Sequence, residues 1–233
     1  MARRKLNPVQ GDPPPSALLE VLKRSGPLPM RALAAELGIT YEAVRQQVAE
    51  LVKSGWVARD AKSKVPDGQR GPASRRYRLS EAAEHLFPKH YDALSTELLQ
   101  HVRDSFGGEA LVQLLRKMTD ARVQRFAPLL KSLSLKEKLK ALCSLYEDKD
   151  AYMELEWRED GPALIERNCP FLNVAQKHPA LCSVSVNTLE RLLGHRVVRE
   201  QRFQAGHGRC VFRVRLDEPR PADQAFTLEP PPR

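Results

Sequence analysis

A glycine at position 38 stands between two short runs of helical apolar pattern, and that placement constrains the first third of the chain more than any other feature. Ser16 to Leu22 begins the first helix, with Leu18, Leu19 and Leu22 on one face, and Ser25-Gly26-Pro27 stops it. Met30 to Leu37 repeats the pattern with Leu33, Ala34 and Leu37. Gly38 allows a sharp turn that sets the next helix at an angle, with Ile39 expected to plug the turn. Thr40 is a good N-cap for that helix, in which Val44, Val48, Leu51 and Val52 share a face. Ser54-Gly55 closes it. Trp56 to Arg59 reads as a strand, 61–74 as a polar loop with Pro66-Asp67-Gly68 and Gly71-Pro72, and Arg75 to Leu79 as the returning strand.

This element order over 16–80 is that of a winged helix-turn-helix domain. With Val44 and Val48 facing the core, Thr40, Tyr41, Glu42, Arg45, Gln46 and Gln47 lie outside, at the end of the helix that enters a major groove. Arg and Gln suit guanine and adenine edges by bidentate hydrogen bonds. The wing adds Lys62, Lys64, Arg70, Arg75, Arg76 and Arg78 for phosphates or a minor groove. Charge supports this reading: residues 1–80 hold 15 Lys/Arg against 7 Asp/Glu, almost all of the chain's net +9. Such a localised basic excess points to a polyanion, most often nucleic acid, with a merely solvated basic face as the competing reading of charge alone. Trp56 and Tyr77 are expected in the core rather than stacked on bases.

Residues 1–15, basic and ending in Pro13-Pro14-Pro15, are expected to be a disordered arm, and 218–233, rich in proline, a disordered tail. No apolar stretch suits a membrane span or a secretory signal, so a cytoplasmic location is expected. The span 81–130 reads as a helical dimerisation region, with runs over 81–105 and 108–127 and Pro128 ending the second. Ser134-Leu135-Lys136-Glu137 is a capping box opening a further helix. Strands are then expected at Tyr152 to Trp157, with Met153, Leu155 and Trp157 on one side, and near Ala163 to Arg167. A short helix near Asn187 to Leu193 precedes strands at Arg196 to Phe203 and Cys210 to Leu216, the latter setting Cys210, Phe212, Val214 and Leu216 against Arg213 and Arg215. The fold class is thus α+β, with a small C-terminal α+β domain over 131–217.

Three of the four cysteines, Cys169, Cys182 and Cys210, fall in that last domain, with 12 and 27 residues between them. The spacing is not that of a zinc ribbon. Each comes from a different local element, and thiolates that converge bind soft metals or iron–sulfur clusters. The competing reading is a set of buried small apolar side chains, which suits Cys143, beside Leu139 and Leu142, best. Nothing indicates an enzyme: no nucleophile motif, P-loop or dinucleotide fingerprint is present, and Glu154, Glu156, Glu159 and Asp160 read as a solvated face.

Glu166-Arg167-Asn168-Cys169-Pro170, Val174-Ala175, His178-Pro179-Ala180-Leu181-Cys182, Leu193-Gly194-His195-Arg196-Val197, Gly206 and Cys210 together resemble the SufR-type iron–sulfur-responsive repressors. Gly71-Pro72, Tyr77-Arg78-Leu79-Ser80 and Phe87-Pro88-Lys89-His90-Tyr91 are also similar to that family. The resemblance runs from about residue 15 to 216. It implies a homodimeric repressor of iron–sulfur assembly genes that binds an inverted-repeat operator in double-stranded DNA and carries a [4Fe–4S] cluster. The implied cluster ligands are Cys169, Cys182 and Cys210, with His195 as first and His207 as second candidate for the fourth. The wing departs from the family in reading Gln69-Arg70-Gly71-Pro72 in place of a Gly-Arg-Pro order. The alternative is a winged-helix regulator whose C-terminal domain binds zinc or undergoes thiol oxidation.

Overall fold

A computed structural model describes residues 16–60, 75–147, 151–221 and 223–230. The expected arm over 1–15 and the wing residues Lys62, Lys64 and Arg70 lie outside the described residues. The chain divides into two compact units, 1–89 and 90–233.

In the first unit, α1 (Ala17–Ser25), α2 (Met30–Leu37) and α3 (Tyr41–Lys53) pack on a three-stranded antiparallel sheet of order β1-β3-β2, formed by β1 (Leu28–Pro29), β2 (Val57–Arg59) and β3 (Arg76–Leu79). Leu18, Leu19 and Leu22 of α1, Leu33 of α2, Val44 and Val48 of α3, Val57 and Tyr77 form its core. Each such side chain contributes about 1.5–3 kcal/mol by leaving water. Gly38 ends α2 in the left-handed region at φ 64°, and the Ile39 N–H bonds the Ala34 carbonyl at 3.2 Å. Ile39 does not plug the turn: it is 37% exposed, because its backbone alone closes the cap. Leu28–Pro29 is a strand that the sequence pattern does not announce, since two residues carry no period. Residues 81–89 belong here and not to the helical region after it: Ala83 is fully buried, and Leu86 and Phe87 pack on the core.

In the second unit, α4 (Tyr91–Leu130) breaks at Gly107, at φ 84° and ψ 170°. Pro128 does not end it. The helix runs on to Leu130, since a proline this near a C-terminus removes one hydrogen bond and Phe126 and Leu130 gain burial by continuing. α5 (Leu135–Glu147) starts at the expected capping box: the Ser134 N–H bonds Glu137 Oε2 at 2.8 Å and the Glu137 N–H bonds Ser134 Oγ at 3.4 Å. The sheet is antiparallel, in the order β4-β5-β7-β6, from β4 (Met153–Arg158), β5 (Gly161–Glu166), β6 (His195–Gln201) and β7 (Cys210–Pro219). α6 (Leu172–Lys177), a 3-10 turn (Pro179–Cys182) and α7 (Ser183–Leu193) join β5 to β6.

One sheet face carries Met153, Leu164, Val197, Phe212 and Val214 into a core shared with Leu139, Leu142 and Leu189 of α5 and α7. Trp157 and Leu216 leave that face at the strand ends and are 51% and 43% exposed. Arg213, expected on the solvent side, is buried in ion pairs with Glu200 and Asp160. The tail is not disordered over its described part. Asn187 bonds the Thr227 backbone at both its N–H and carbonyl, Glu229 pairs with Arg199, Arg220 lies 3.6 Å from Glu190, and Phe226 packs beside Leu111, Leu115 and Val184. Its prolines forbid regular structure, but side chains of α7 and β6 satisfy its backbone and anchor its charges. No helix among the described residues is long and apolar enough to cross a membrane.

Candidate functional site

The exposed end of α3 carries the expected groove-facing residues. Tyr41 is 50% exposed, and Arg45 and Gln46 are exposed beside it. Thr40 is spent differently from the expectation of a DNA contact: its Oγ1 accepts the Ala43 N–H at 3.2 Å, so its side chain caps the helix. Arg45 is paired along the helix with Glu42, Nε to Oε2 at 2.8 Å, and this bond and charge hold the Glu42 carboxyl below its usual range. Arg76 is also committed. Its Nε and Nη2 donate to the Pro27 carbonyl at 3.0 and 2.6 Å, bracing β3 against the turn before β1. Arg75, just before β3, and Arg78 on β3 are both exposed.

The three C-terminal cysteines line one cavity. Cys169 follows β5, Cys182 closes the 3-10 turn before α7, and Cys210 opens β7. Sheet register explains part of this convergence. Glu166 of β5 pairs with Cys210 across the ladder, and Arg199 of β6 pairs with Phe212, so the Glu166, Cys210 and Arg199 side chains stand on one face at the same end of the sheet. Tyr146 of α5, Arg122 of α4, Ser185 of α7 and Gln204 add to the polar lining. The cavity takes up about 740 Å³, counting its open mouth.

Every sulfur meets an N–H donor. The Phe171 backbone N–H faces Cys169, the Gln204 amide donates to Cys182 Sγ at 2.8 Å, and the Phe203 backbone and Arg199 face Cys210. Neutral thiols gain little from such donors, whereas thiolates and ligated sulfurs gain a great deal. Burial pushes the Cys169 thiol up to about 12 with help from Glu166, and burial likewise raises Cys182 and Cys210. Gln204 Oε1 is buried in this wall with no hydrogen-bond partner.

Among the described residues, no three His, Cys, Asp or Glu side chains converge on one point as a single-ion site requires. A polynuclear group makes no such demand, because each thiolate binds a different metal atom.

Neither histidine expected as fourth ligand is among the residues that line the cavity. His195 opens β6 opposite Pro219, at the end of the strand away from the cavity, and does not line it. Six residues of strand separate it from the Gln201 end, roughly 20 Å. His207 is exposed in the turn before β7, with Nδ1 3.2 Å from the Arg202 backbone nitrogen. Glu166, Arg199, Gln204 and Tyr146 were not singled out from sequence as site residues. Glu166 alone had a signal there, three residues before Cys169. Cys143 lies on α5 against the core and outside the cavity, as expected.

The model of the MarR family matches residues 12–69. No curated protein matches the chain. The matched span holds α1, α2, α3 and β2, with Tyr41, Arg45 and Gln46 exposed on α3. Residues 12–69, about a quarter of the chain, are thus similar to the MarR family, and the elements they form are those of a winged helix-turn-helix.

Proposed function

We propose that the protein is a homodimeric repressor of iron–sulfur assembly genes whose affinity for an inverted-repeat operator depends on a [4Fe–4S] cluster bound by Cys169, Cys182 and Cys210. The observation that carries this reading is the convergence of three thiols, from three separate elements, on one cavity in which each sulfur faces an N–H donor. The resemblance to SufR-type repressors supplies the regulated genes, and the MarR-type domain the DNA.

When bound, the cluster supplies a link that iron shortage or oxidants can break. The protein's own residues do the rest. Cys182 immediately precedes α7, and α7 packs along α4. Holding Cys182 therefore fixes the start of the helix on which α4 rests. Before its break, α4 exposes Tyr91, Leu94 and Leu98 at helical spacing, between 54% and 67% exposed. This stripe is the face that a second copy covers, since an apolar ridge of this kind is costly in water. A shift of α4 then changes the spacing that a two-fold operator requires. Moving such an equilibrium from 1:99 to 99:1 takes about 5.5 kcal/mol of differential binding.

The test is iron, zinc and acid-labile sulfide per chain, with an absorption spectrum, on protein purified without oxygen, for wild type and Cys182→Ala. About four irons and four sulfides, lost in the variant together with tight operator binding, support the reading. Zinc without sulfide points to the alternative metal, and no uptake of any metal removes the cluster.

A further inference from the structure

The geometry points to Glu166 as the fourth ligand of the cluster, its carboxylate holding the one iron that no cysteine reaches. The inference rests on the cluster reading above and extends it to a residue that the histidine candidates had hidden.

Glu166 is 7% exposed at the inner end of β5. Its side chain lines the cavity with all three thiols, directly across the ladder from Cys210 and three residues before Cys169. Among the described residues its carboxylate forms no ion pair within 4 Å. Its hydrogen bond is to the Cys210 thiol, and the charges that favour it are Arg199 and Arg122. A buried carboxyl with so little compensation is expensive, and such groups concentrate where function requires them.

The other polar groups of the wall suit ligation less well. Arginine has no lone pair to give. Gln204 gives its amide N–H to Cys182 and keeps an unpartnered Oε1, but that oxygen and the Ser185 hydroxyl are neutral and weaker ligands for iron than a carboxylate. Tyr146 is a phenol deep in the core shared by α5 and the sheet. Glu166 alone brings a hard anionic oxygen, of the kind that binds iron in other carboxylate sites. With three thiolates it gives four anionic ligands, and the two guanidiniums on the wall offset part of that charge.

The experiment compares wild type, Glu166→Gln, Glu166→Cys and Cys182→Ala, each reconstituted with iron and sulfide without oxygen. Cluster loss is then driven by ferricyanide, a one-electron oxidant. Removing one electron from a [4Fe–4S]²⁺ core releases Fe²⁺ and leaves [3Fe–4S]⁺, which electron paramagnetic resonance detects. We expect Glu166→Gln to lose its unique iron at least tenfold faster than wild type, leaving about three irons and four sulfides. Glu166→Cys restores retention through a fourth thiolate. A Gln variant that keeps four irons and loses them at the wild-type rate, while Cys182→Ala holds no cluster, overturns the assignment and leaves the three-cysteine reading standing. A wild type that takes up neither iron nor sulfide overturns both. Where the Gln variant does not fold, Glu166→Cys decides alone: retention at or above wild type supports the assignment, and loss of the fourth iron overturns it.

Discussion

Arg45 and Arg76 show how two arginines of one basic domain differ in what they are free to do. Arg45 pairs with Glu42 in a solvent-exposed contact that water and salt weaken, and can exchange that partner for a base edge. Arg45→Ala is expected to weaken specific operator binding by about 1–3 kcal/mol with unchanged unfolding, read by fluorescence anisotropy and urea melts. Arg76→Ala is expected to do the reverse in part, lowering the melting temperature, because the Pro27 carbonyl loses both donors. Gly161 is a third case. At φ 117° an added Cβ would lie 2.8 Å from the Val214 carbonyl oxygen. Gly161→Ala is expected to destabilise the protein by about 1–3 kcal/mol in urea unfolding.

Between elements, the short helical turn at Ala82–Leu86 is tied to α1 by Lys23 and Glu84. The Lys23 bond holds the Glu84 carboxyl below its usual range. The folded state therefore binds that proton less readily than the unfolded chain. The pair's stabilisation is present above about pH 4.3, the unfolded value, and is lost as pH falls through the lower folded value. With the two side chains 40% and 44% exposed, it amounts to a few tenths of a kcal/mol. Glu84→Gln is expected to flatten that part of the stability–pH curve, measured by thermal melts from pH 6 down to about pH 3. On α4, Leu94→Glu with Leu98→Glu places charge on the exposed stripe. The double variant is expected to sediment as a monomer at concentrations where wild type is a dimer, and to lose cooperative operator binding.

Across the whole molecule, the two units divide chemistry as they divide the chain. The basic excess sits in the first, the three cavity cysteines in the second. Chelation of iron from reconstituted protein is expected to weaken operator binding while leaving the far-ultraviolet circular dichroism of the winged-helix unit in place. A chelated protein that binds the operator with unchanged affinity would count against any coupling between the units.

Local chemistry alone determined the helix-turn-helix: Gly38, the Thr40 cap and the spacing of Val44 and Val48 act within a few residues. The Ser134–Glu137 capping box and the interruption at Gly107 were legible for the same reason. The cysteines were legible as residues that could bind a cluster, but not as neighbours. Their convergence depends on the pairing of β5, β6 and β7, whose register is set by which face is buried. That register moved His195 to the far end of β6 and brought Glu166 and Arg199 to the cavity, although His195 lies between two of the cysteines in sequence. It also hid what the tail does, because Glu229 finds Arg199 only after β6 has folded. Sequence spacing carries information along the chain, whereas a strand pair brings together side chains dozens of residues apart, and only the folded sheet decides which ones meet.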